Sequence, residues 1–288
     1  MHTSLLPIPS LGTHFIKILR EAGQTLQIAP HRQNPSEGKK LRIVYPEAKI
    51  FQSLVEAVGK LVDEVALVAR PEGVEMKAMD PAQVVMVRIW IPSDAFSEYE
   101  VEEEEKLGFN IGDILKFFKR AKKGYKLELG TESEGAKIRI VLEGALIKKY
   151  VIPNLDVLSE DLPDLSNLDF KVKALLLASV IKEAIKDIEA LSDVVIIEAP
   201  DPDTLVFKGA GTAETVTRVS RASSALLELE VQEPSKSAYD LTYLKHIVGV
   251  TKVSDNVELK FGSDMPLLMK FNVLTGGEVE YVVAPQAI

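Results

Sequence analysis

The chain repeats itself. "LVDEVALVARPEGVEMKAM", around Asp63, resembles "LSDVVIIEAPDPDTLVFKG", around Asp193, 130 residues further on. "NIGDILKFFK" from Asn110 resembles "DLTYLKHIVG" from Asp240 at the same spacing. "LELG" ending at Gly130 and "LKFG" ending at Gly262 stand 132 residues apart, as do "VLEG" ending at Gly144 and "VLTG" ending at Gly276. Phe51 then falls on Ile181. Four anchors in one order at a nearly constant offset restrict the fold, because whatever one half forms the other is expected to form too. A length of 288 residues gives each copy the size of an ordinary domain.

Hydrophobic spacing supplies the contents of one copy. "IFQSLVEAVGKL" places Ile50, Phe51, Leu54, Val55, Val58 and Leu61 on one helical stripe. Short runs rich in Val and Ile follow ("EVALVAR", "GVEMKAM", "VVMVRIWIP"), broken by Pro71, Gly73 and Pro81, and read as strands. "ILKFFKRAKKGYK", Ile114 to Lys126, reads as a second helix, and "KLELG" and "KIRIVLEG" as further strands. The second copy has its own amphipathic helix in "LLLASVIKEAIKDIEALSD". Helices buried on one side against antiparallel sheet make each copy α+β. The expected organisation is an N-terminal extension over 1–40, a first domain over 41–150, a connector over 151–166 and a second domain over 167–288.

Several kinds of chemistry lack their residues. There are no cysteines, so disulfides, thiolate metal sites and a cysteine nucleophile are excluded. The four histidines are scattered, without metal-ligand spacing. "GAGTAETV", Gly209 to Val216, contains Gly-x-Gly but has no helical pattern after it, so it reads as a turn between strands rather than a phosphate loop. The acidic run "EYEVEEEE", Glu98 to Glu105, reads as a solvated loop or edge; the alternative is paired carboxylates for acid–base or metal work. Nothing nominates an enzyme, a cofactor or a metal. No apolar run approaches the ~20 residues that cross a bilayer, and the start lacks a cationic, then unbroken apolar, signal pattern. The expectation is a cytoplasmic, nucleoid-associated protein.

Charge is the feature that asks for a partner. The chain is acidic, with 34 Lys and Arg against 43 Asp and Glu, a net charge of −9. Yet Ile114–Lys126 carries Lys116, Lys119, Arg120, Lys122, Lys123 and Lys126. On a helical wheel Ile111, Ile114, Leu115 and Phe118 share one face, while Lys116, Lys119, Arg120 and Lys123 occupy an arc roughly 100° wide on the other. Like charges spaced i,i+4 cost ~0.2–0.5 kcal/mol per pair. A solvated lysine face is one account; a phosphate backbone that offsets the repulsion is the other.

Two segments stand outside the repeat. "YVIPNLDVLSEDLPDLSNLDF", Tyr150 to Phe170, has the acids of a linker but the leucines of a strap that leans on something apolar. Before Leu41, "APHRQNPSEGKK", Ala29 to Lys40, reads as a linker. Ahead of it "THFIKILREAG" reads as part of a loosely ordered tail; the alternative is a short amphipathic helix with Phe15, Ile16 and Leu19 on one side.

Six stretches resemble the sliding clamp of the proliferating cell nuclear antigen (PCNA) type in its archaeal form. They are "RIVYPEAKIFQSLVEAV", "GVEMKAMDPAQVVMVRIWIP", "LGFNIGDILKFFKRA", "EPSKSAYDLTYLKHIV", "VELKFGSDMPLLMKF" and the terminal "YVVAPQAI", together covering about residues 41 to 288. "AMDPAQVV" and "APQ" are the most distinctive. The resemblance implies the DNA-clamp fold: two tandem domains, two helices per domain inside, antiparallel sheets outside, and three subunits closed into a ring around double-stranded DNA. It implies DNA-facing cations at Lys49, Lys60, Lys116, Lys119, Arg120, Lys123, Lys182, Lys186, Lys245 and Lys252, read independently of base sequence. It further implies that DNA polymerase, clamp loader, ligase and flap nuclease dock a short apolar motif, the PIP box, under the connector. The matching positions are Met79, Gln83 and Val84; Leu155, Val157, Leu158, Leu162 and Pro163; and Pro266, Val282, Ala284 and Pro285. Gln83 stands where many relatives carry histidine, and Val282 where some carry an aromatic. Ordinary core packing is the other account of these apolar residues. Subunits of this family join edge strands, here expected near Ala145–Ile152 and Ala213–Ser220, with the lysines of one edge meeting acids on the other; the ring partners are further copies of this chain or paralogues. Relatives begin at "LRIVYP", so a start near Leu41 is a further expectation. The alternatives are a subunit of a heterotrimeric or checkpoint-type clamp, or an enzyme using the acidic run.

Overall fold

The computed structural model describes residues 41–159, 161–163, 165, 167–211 and 213–287. The N-terminal extension, and with it the expected tail and linker, lies outside the described residues.

The repeat is present element by element. The first half runs β1 (Arg42–Tyr45), α1 (Ala48–Val58), β2 (Glu64–Arg70), β3 (Gly73–Met79), β4 (Val85–Pro92), β5 (Glu98–Glu100), β6 (Glu105–Asn110), α2 (Ile111–Phe118), β7 (Lys126–Glu132), β8 (Lys137–Glu143) and β9 (Ile147–Pro153). The second runs β10 (Val172–Leu177), α3 (Ala178–Glu189), β11 (Val194–Asp201), β12 (Thr204–Ala210), β13 (Glu214–Ser220), β14 (Leu226–Val231), β15 (Ser235–Asp240), α4 (Leu241–Ile247), β16 (Asn256–Phe261), β17 (Leu267–Asn272) and β18 (Glu278–Val283). Each half is the same succession of nine strands and two helices. Among the described residues no helix is long and apolar enough to cross a membrane.

The strands form three antiparallel sheets, in the orders β5-β1-β7-β8-β9, β14-β10-β16-β17-β18-β4-β3-β2-β6 and β13-β12-β11-β15. The middle sheet crosses from one half to the other where β18 pairs with β4, Val283 opposite Val85 and Val282 opposite Met86. By position in the repeat, the counterpart of β18 is β9 and the counterpart of β4 is β13. Both counterparts are outermost strands of their sheets.

The helices form where spacing and capping agree. Asn110 caps α2 by accepting from the Asp113 N–H at 3.2 Å, and Asp240 caps α4 by accepting from the Thr242 N–H at 2.7 Å, the same place in each repeat. Ile111, Ile114 and Phe118 of α2 are buried, with Leu115 half-buried. Phe51 of α1 meets Phe118 edge to face, with centroids 5.9 Å apart. On α3, Ile181, Ala184, Ile185 and Ile188 face the core. A 3₁₀ turn, Val248–Lys252, packs against α1, α3 and α4, so the helices of the two halves make one layer.

The helix expected over Ile114–Lys126 is shorter than its pattern suggested. It ends at Phe118, with Lys119 as cap. Ala121 and Tyr125 are buried beyond it, and Gly124 turns the chain at a φ of 79°, a left-handed value that glycine adopts without strain. Lys122 and Lys123 are therefore on a turn, and Lys126 opens β7.

Candidate functional site

The first candidate surface is the helix layer. Lys60 just past α1, Lys119 at the end of α2 and Lys252 at the end of the 3₁₀ turn line one depression of about 380 Å³, with His246 and Glu56 beside them. Cations from both halves thus converge. The ends of α1 and α2 favour them, because the C-terminal turn of a helix carries partial negative charge. His246 has an Nδ1 that is buried without a hydrogen-bond partner. Burial first, then Lys60 and Lys245, holds its imidazole below the usual value.

The other expected DNA-facing residues are less uniform. Arg120, Lys123 and Lys186 are exposed, and Lys182 is half-buried. Lys49 donates to Gln52 at 2.9 Å, Lys116 to Asp113 at 2.7 Å, and Lys245 pairs with Glu189 at 2.6 Å. The arc on α2 is therefore not purely cationic: Asp113, one turn before Lys116, neutralises it, and Lys123 has left the helix.

The second surface is a groove on the outer face of the middle sheet. Leu268, Val282, Met86 and Met79 lie opposite one another on β17, β18, β4 and β3, making one apolar row that crosses between the halves. Val84 and Ala284 extend it, joined by the Ala284 N–H donating to the Val84 carbonyl at 2.8 Å. The connector lays Leu162, Leu165, Leu168 and Phe170 over this row. A cavity of about 660 Å³ remains there, lined also by Pro163, Asp169 and the charged Lys77 and Arg88.

The turn that carries Gln83 is rigidly held. The Asp80 carboxylate accepts from the N–H groups of Ala82, Val84 and Val85 at 3.0, 2.7 and 2.6 Å. Gln83 is exposed, with a φ of 59°. Pro285 follows Ala284, and buried Pro266 precedes Leu267, which faces Val283.

Leu155 and Val157 are used elsewhere. The Leu155 N–H donates to the Gly108 carbonyl of β6 at 2.8 Å. A Cβ at Gly108 would stand 2.0 Å from the Leu155 oxygen, so only glycine admits the connector here. Asn154 clamps the same place, accepting from the Gly108 N–H at 2.7 Å and donating to the Lys106 and Gly135 carbonyls at 3.0 and 2.8 Å. Leu158 is 87% exposed.

With this geometry in place the likeness to known proteins is specific. The family model described as "Proliferating cell nuclear antigen, N-terminal domain" matches residues 41–162, and that described as "Proliferating cell nuclear antigen, C-terminal domain" matches residues 164–286. The chain belongs to the PCNA family. A curated relative, "DNA polymerase sliding clamp 1" of Aeropyrum pernix, is 37% identical over 244 residues, which are 83% of this chain and 97% of that protein. The "DNA polymerase sliding clamp" of Pyrococcus abyssi is 35% identical over 85% of this chain and 97% of its own length. Among solved structures, PCNA from Thermococcus kodakaraensis superposes with a TM-score of 0.79 at 33% identity, covering 85% of this chain and all of that one. The PCNA2–PCNA3 complex of Sulfolobus tokodaii does so with a TM-score of 0.80 at 28% identity, covering 86% of this chain.

For a PCNA-family chain, sequence reasoning missed part of the groove. Met86, Leu165, Leu168, Phe170 and Leu268 belong to it but were not singled out. The regular return of Leu162, Leu165 and Leu168 was the available signal, whereas Met86 and Leu268 look like ordinary strand positions. It also missed the charge lattice beside the apolar row. Buried Glu75 binds Arg88 at 2.7 Å, Lys77 at 3.1 Å and Arg70 at 3.2 Å. Burial pushes the Glu75 carboxyl up, but Arg88 and Lys77 outweigh it and hold it below the usual carboxylate range. The acidic run is in part drawn into such pairs: Glu98 and Glu100 bind Arg42, and Glu104 binds Arg70 at 2.9 Å. Among the described residues no group of His, Asp and Glu is placed to hold a metal.

Proposed function

We infer that the protein is a DNA polymerase sliding clamp, a processivity factor and not an enzyme. It encircles duplex DNA and tethers replication and repair enzymes to it. What carries the reading is that both repeats match, end to end, relatives named as DNA polymerase sliding clamps.

The geometry supports a ring. Within the chain, β18 and β4 join the two halves; β9 and β13, their counterparts, are left at sheet edges. Pairing β9 of one copy with β13 of the next repeats the internal joint head to tail, a heterologous contact that closes a ring. The edges carry the apolar surface such a joint needs: Ile147, on β9, is 73% exposed and Val216, on β13, is 40% exposed. The edge lysines are engaged within the subunit, Lys149 with Glu132 at 2.7 Å and Lys148 with the Arg120 carbonyl at 3.1 Å, so apolar contact and main-chain pairing are the main terms. Three copies then present Lys60, Lys119 and Lys252 to the hole, together with Lys49, Lys116, Arg120, Lys123, Lys182, Lys186 and Lys245. Contact through phosphates alone is sequence-independent and permits sliding. The tether acts by effective concentration: an enzyme held on the ring cannot diffuse from its template.

The groove of Met79, Val84, Val282 and Ala284 under Leu162 and Pro163 is the dock for partner motifs, with Gln83, Pro266 and Pro285 at its ends; Leu155 and Val157 serve instead to anchor the connector at Gly108, beside the exposed Leu158. Polymerase, clamp loader, ligase and flap nuclease are its expected users. The same head-to-tail edges would accept a paralogue; the solved Sulfolobus tokodaii structure is itself a complex of two chains, PCNA2 and PCNA3.

Light scattering across a dilution series tests the reading first. A mass near three times 31.7 kDa, about 95 kDa, is expected, together with polymerase stimulation on closed circular template. A stable monomer that neither assembles with paralogues nor stimulates a polymerase overturns it.

A further inference from the structure

The groove and the N-terminal extension have matching chemistry. Ahead of β1 the chain carries "SLGTHFIKILR", Ser10 to Arg20. Leu11, Phe15 and Leu19 recur every four residues, with Ile16 beside them, so one stripe is apolar. An apolar stripe of that length has too little surface to bury within itself and needs a receiving surface. The apolar row of Met79, Met86, Val282 and Leu268 under the connector offers one, and the cavity of about 660 Å³ there falls in the range that receives a small ligand or a few side chains.

Charge and length agree. His14, Lys17 and Arg20 accompany the apolar residues, and beside Leu162 the connector presents the exposed Asp161, while Asp169 at the cavity is paired with Lys171. The cations lining the cavity are already met by the sheet's own acids, Arg88 and Lys77 by Glu75 and Lys260 by Glu258 at 3.0 Å. From Leu19 to Leu41 the chain has 21 intervening residues, rich in Pro, Gly and polar residues towards Lys40. A random coil of that many residues spans about 25 Å on average and up to roughly 70 Å extended, against a radius of gyration near 18 Å for a compact body of this size. The groove is within reach.

We propose that Ser10–Arg20 docks its apolar stripe in the groove, making the extension a built-in competitor for partner motifs. This rests on the groove being the partner dock. A short flexible tether supplies an effective concentration of about 1 mM. A docking constant near 0.1 mM would then fill the groove about nine-tenths of the time and weaken external ligands about tenfold.

The probe is a fluorescent peptide of residues Leu5–Glu21. The receivers are the full chain and the chain beginning at Leu41, where the family match begins; a solved relative is covered over its whole length by 85% of this chain, so a part of that size folds by itself. Saturable binding to the shortened chain is expected, at least about tenfold weaker to the full chain, and recovered in the full chain by Phe15→Asp. Val282→Asp or, on the connector, Leu162→Asp at a half-buried position is expected to abolish it. No saturable binding, or binding indifferent to both groove substitutions, overturns the proposal. Polymerase stimulation is measured in parallel on circular template. If stimulation persists without peptide binding, only the docking of the extension falls; if both receivers also fail to stimulate, the clamp reading falls with it.

Discussion

Arg88, in the first repeat, lies directly across the strand ladder from Glu280, in the second, 3.4 Å from its carboxylate. The same guanidinium reaches Glu75 at 2.7 Å on the opposite side. One side chain thus braces a buried acid of its own half and the joint between the halves. Arg88→Met is expected to cost about 1–3 kcal/mol, because Glu75, 7% exposed, loses its shortest partner. Glu280→Gln, at the wetter end, is expected to cost less than about 1 kcal/mol. Denaturant unfolding of both variants checks this, and equal costs would contradict it.

The acid limb of stability follows from Glu75. Its carboxyl is held below the ordinary value near 4.5, so the folded state keeps it ionised where the unfolded chain already takes up a proton. The stabilisation is fully present above that value and is lost as pH falls from about 4.5 through the folded value. Glu75→Gln is expected to flatten the stability–pH curve in that window, and thermal unfolding from pH 6 downward reads it.

Replacing Lys60, Lys119 and Lys252 together by alanine is expected to leave the fold intact, since all three are exposed. It should weaken retention on closed circular DNA and make the salt dependence shallower, by about 0.9 in slope for each phosphate no longer neutralised. Lys173→Ala, on the outer sheet, is expected to change neither. A salt series on both proteins separates the two faces.

Ile147→Asp and Val216→Asp each put a charge where the ring reading needs apolar contact. Either alone is expected to weaken assembly at least tenfold, about 1.4 kcal/mol or more. The solution mass should fall toward 31.7 kDa at concentrations where the parent chain assembles. An unchanged mass would place the joint elsewhere.

Most of the architecture was readable because periodicity and repetition are local signals. Phe51, Ile114 and Phe118 advertised their buried faces by spacing, and the stretches from Asn110 and Asp240 marked matching places in the repeat, where the structure puts helix caps. The extent of α2 was not readable. Lys119 to Lys123 continue a plausible helical wheel, whereas in the structure the helix stops at Phe118, Ala121 and Tyr125 are buried by packing against other elements, and Gly124 turns the chain. The groove was half readable for the same reason. Leu162 and Val282 came from motif likeness, whereas Met86 and Leu268 enter through cross-strand register, which one strand's sequence does not contain. The split role of the connector, pinned by Asn154 at one end and lying on Val282 at the other, depended on Gly108, whose need for close approach is invisible without its neighbour.

A ring built from this chain has six sheet joints of two kinds. Three are bolted: a covalent strap lies over β4 and β18, and Arg88 and Glu280 cross-brace them. On the proposed pairing, the other three are edge-to-edge latches between β9 and β13, outermost strands within the chain. If such a ring opens, the proposed pairing puts the least resistance at the latches, and the duplication itself would fix the position of that gate. Changes confined to Ile147–Pro153 and Glu214–Ser220 would retune how long the gate stays shut without altering what the ring grips or whom it recruits.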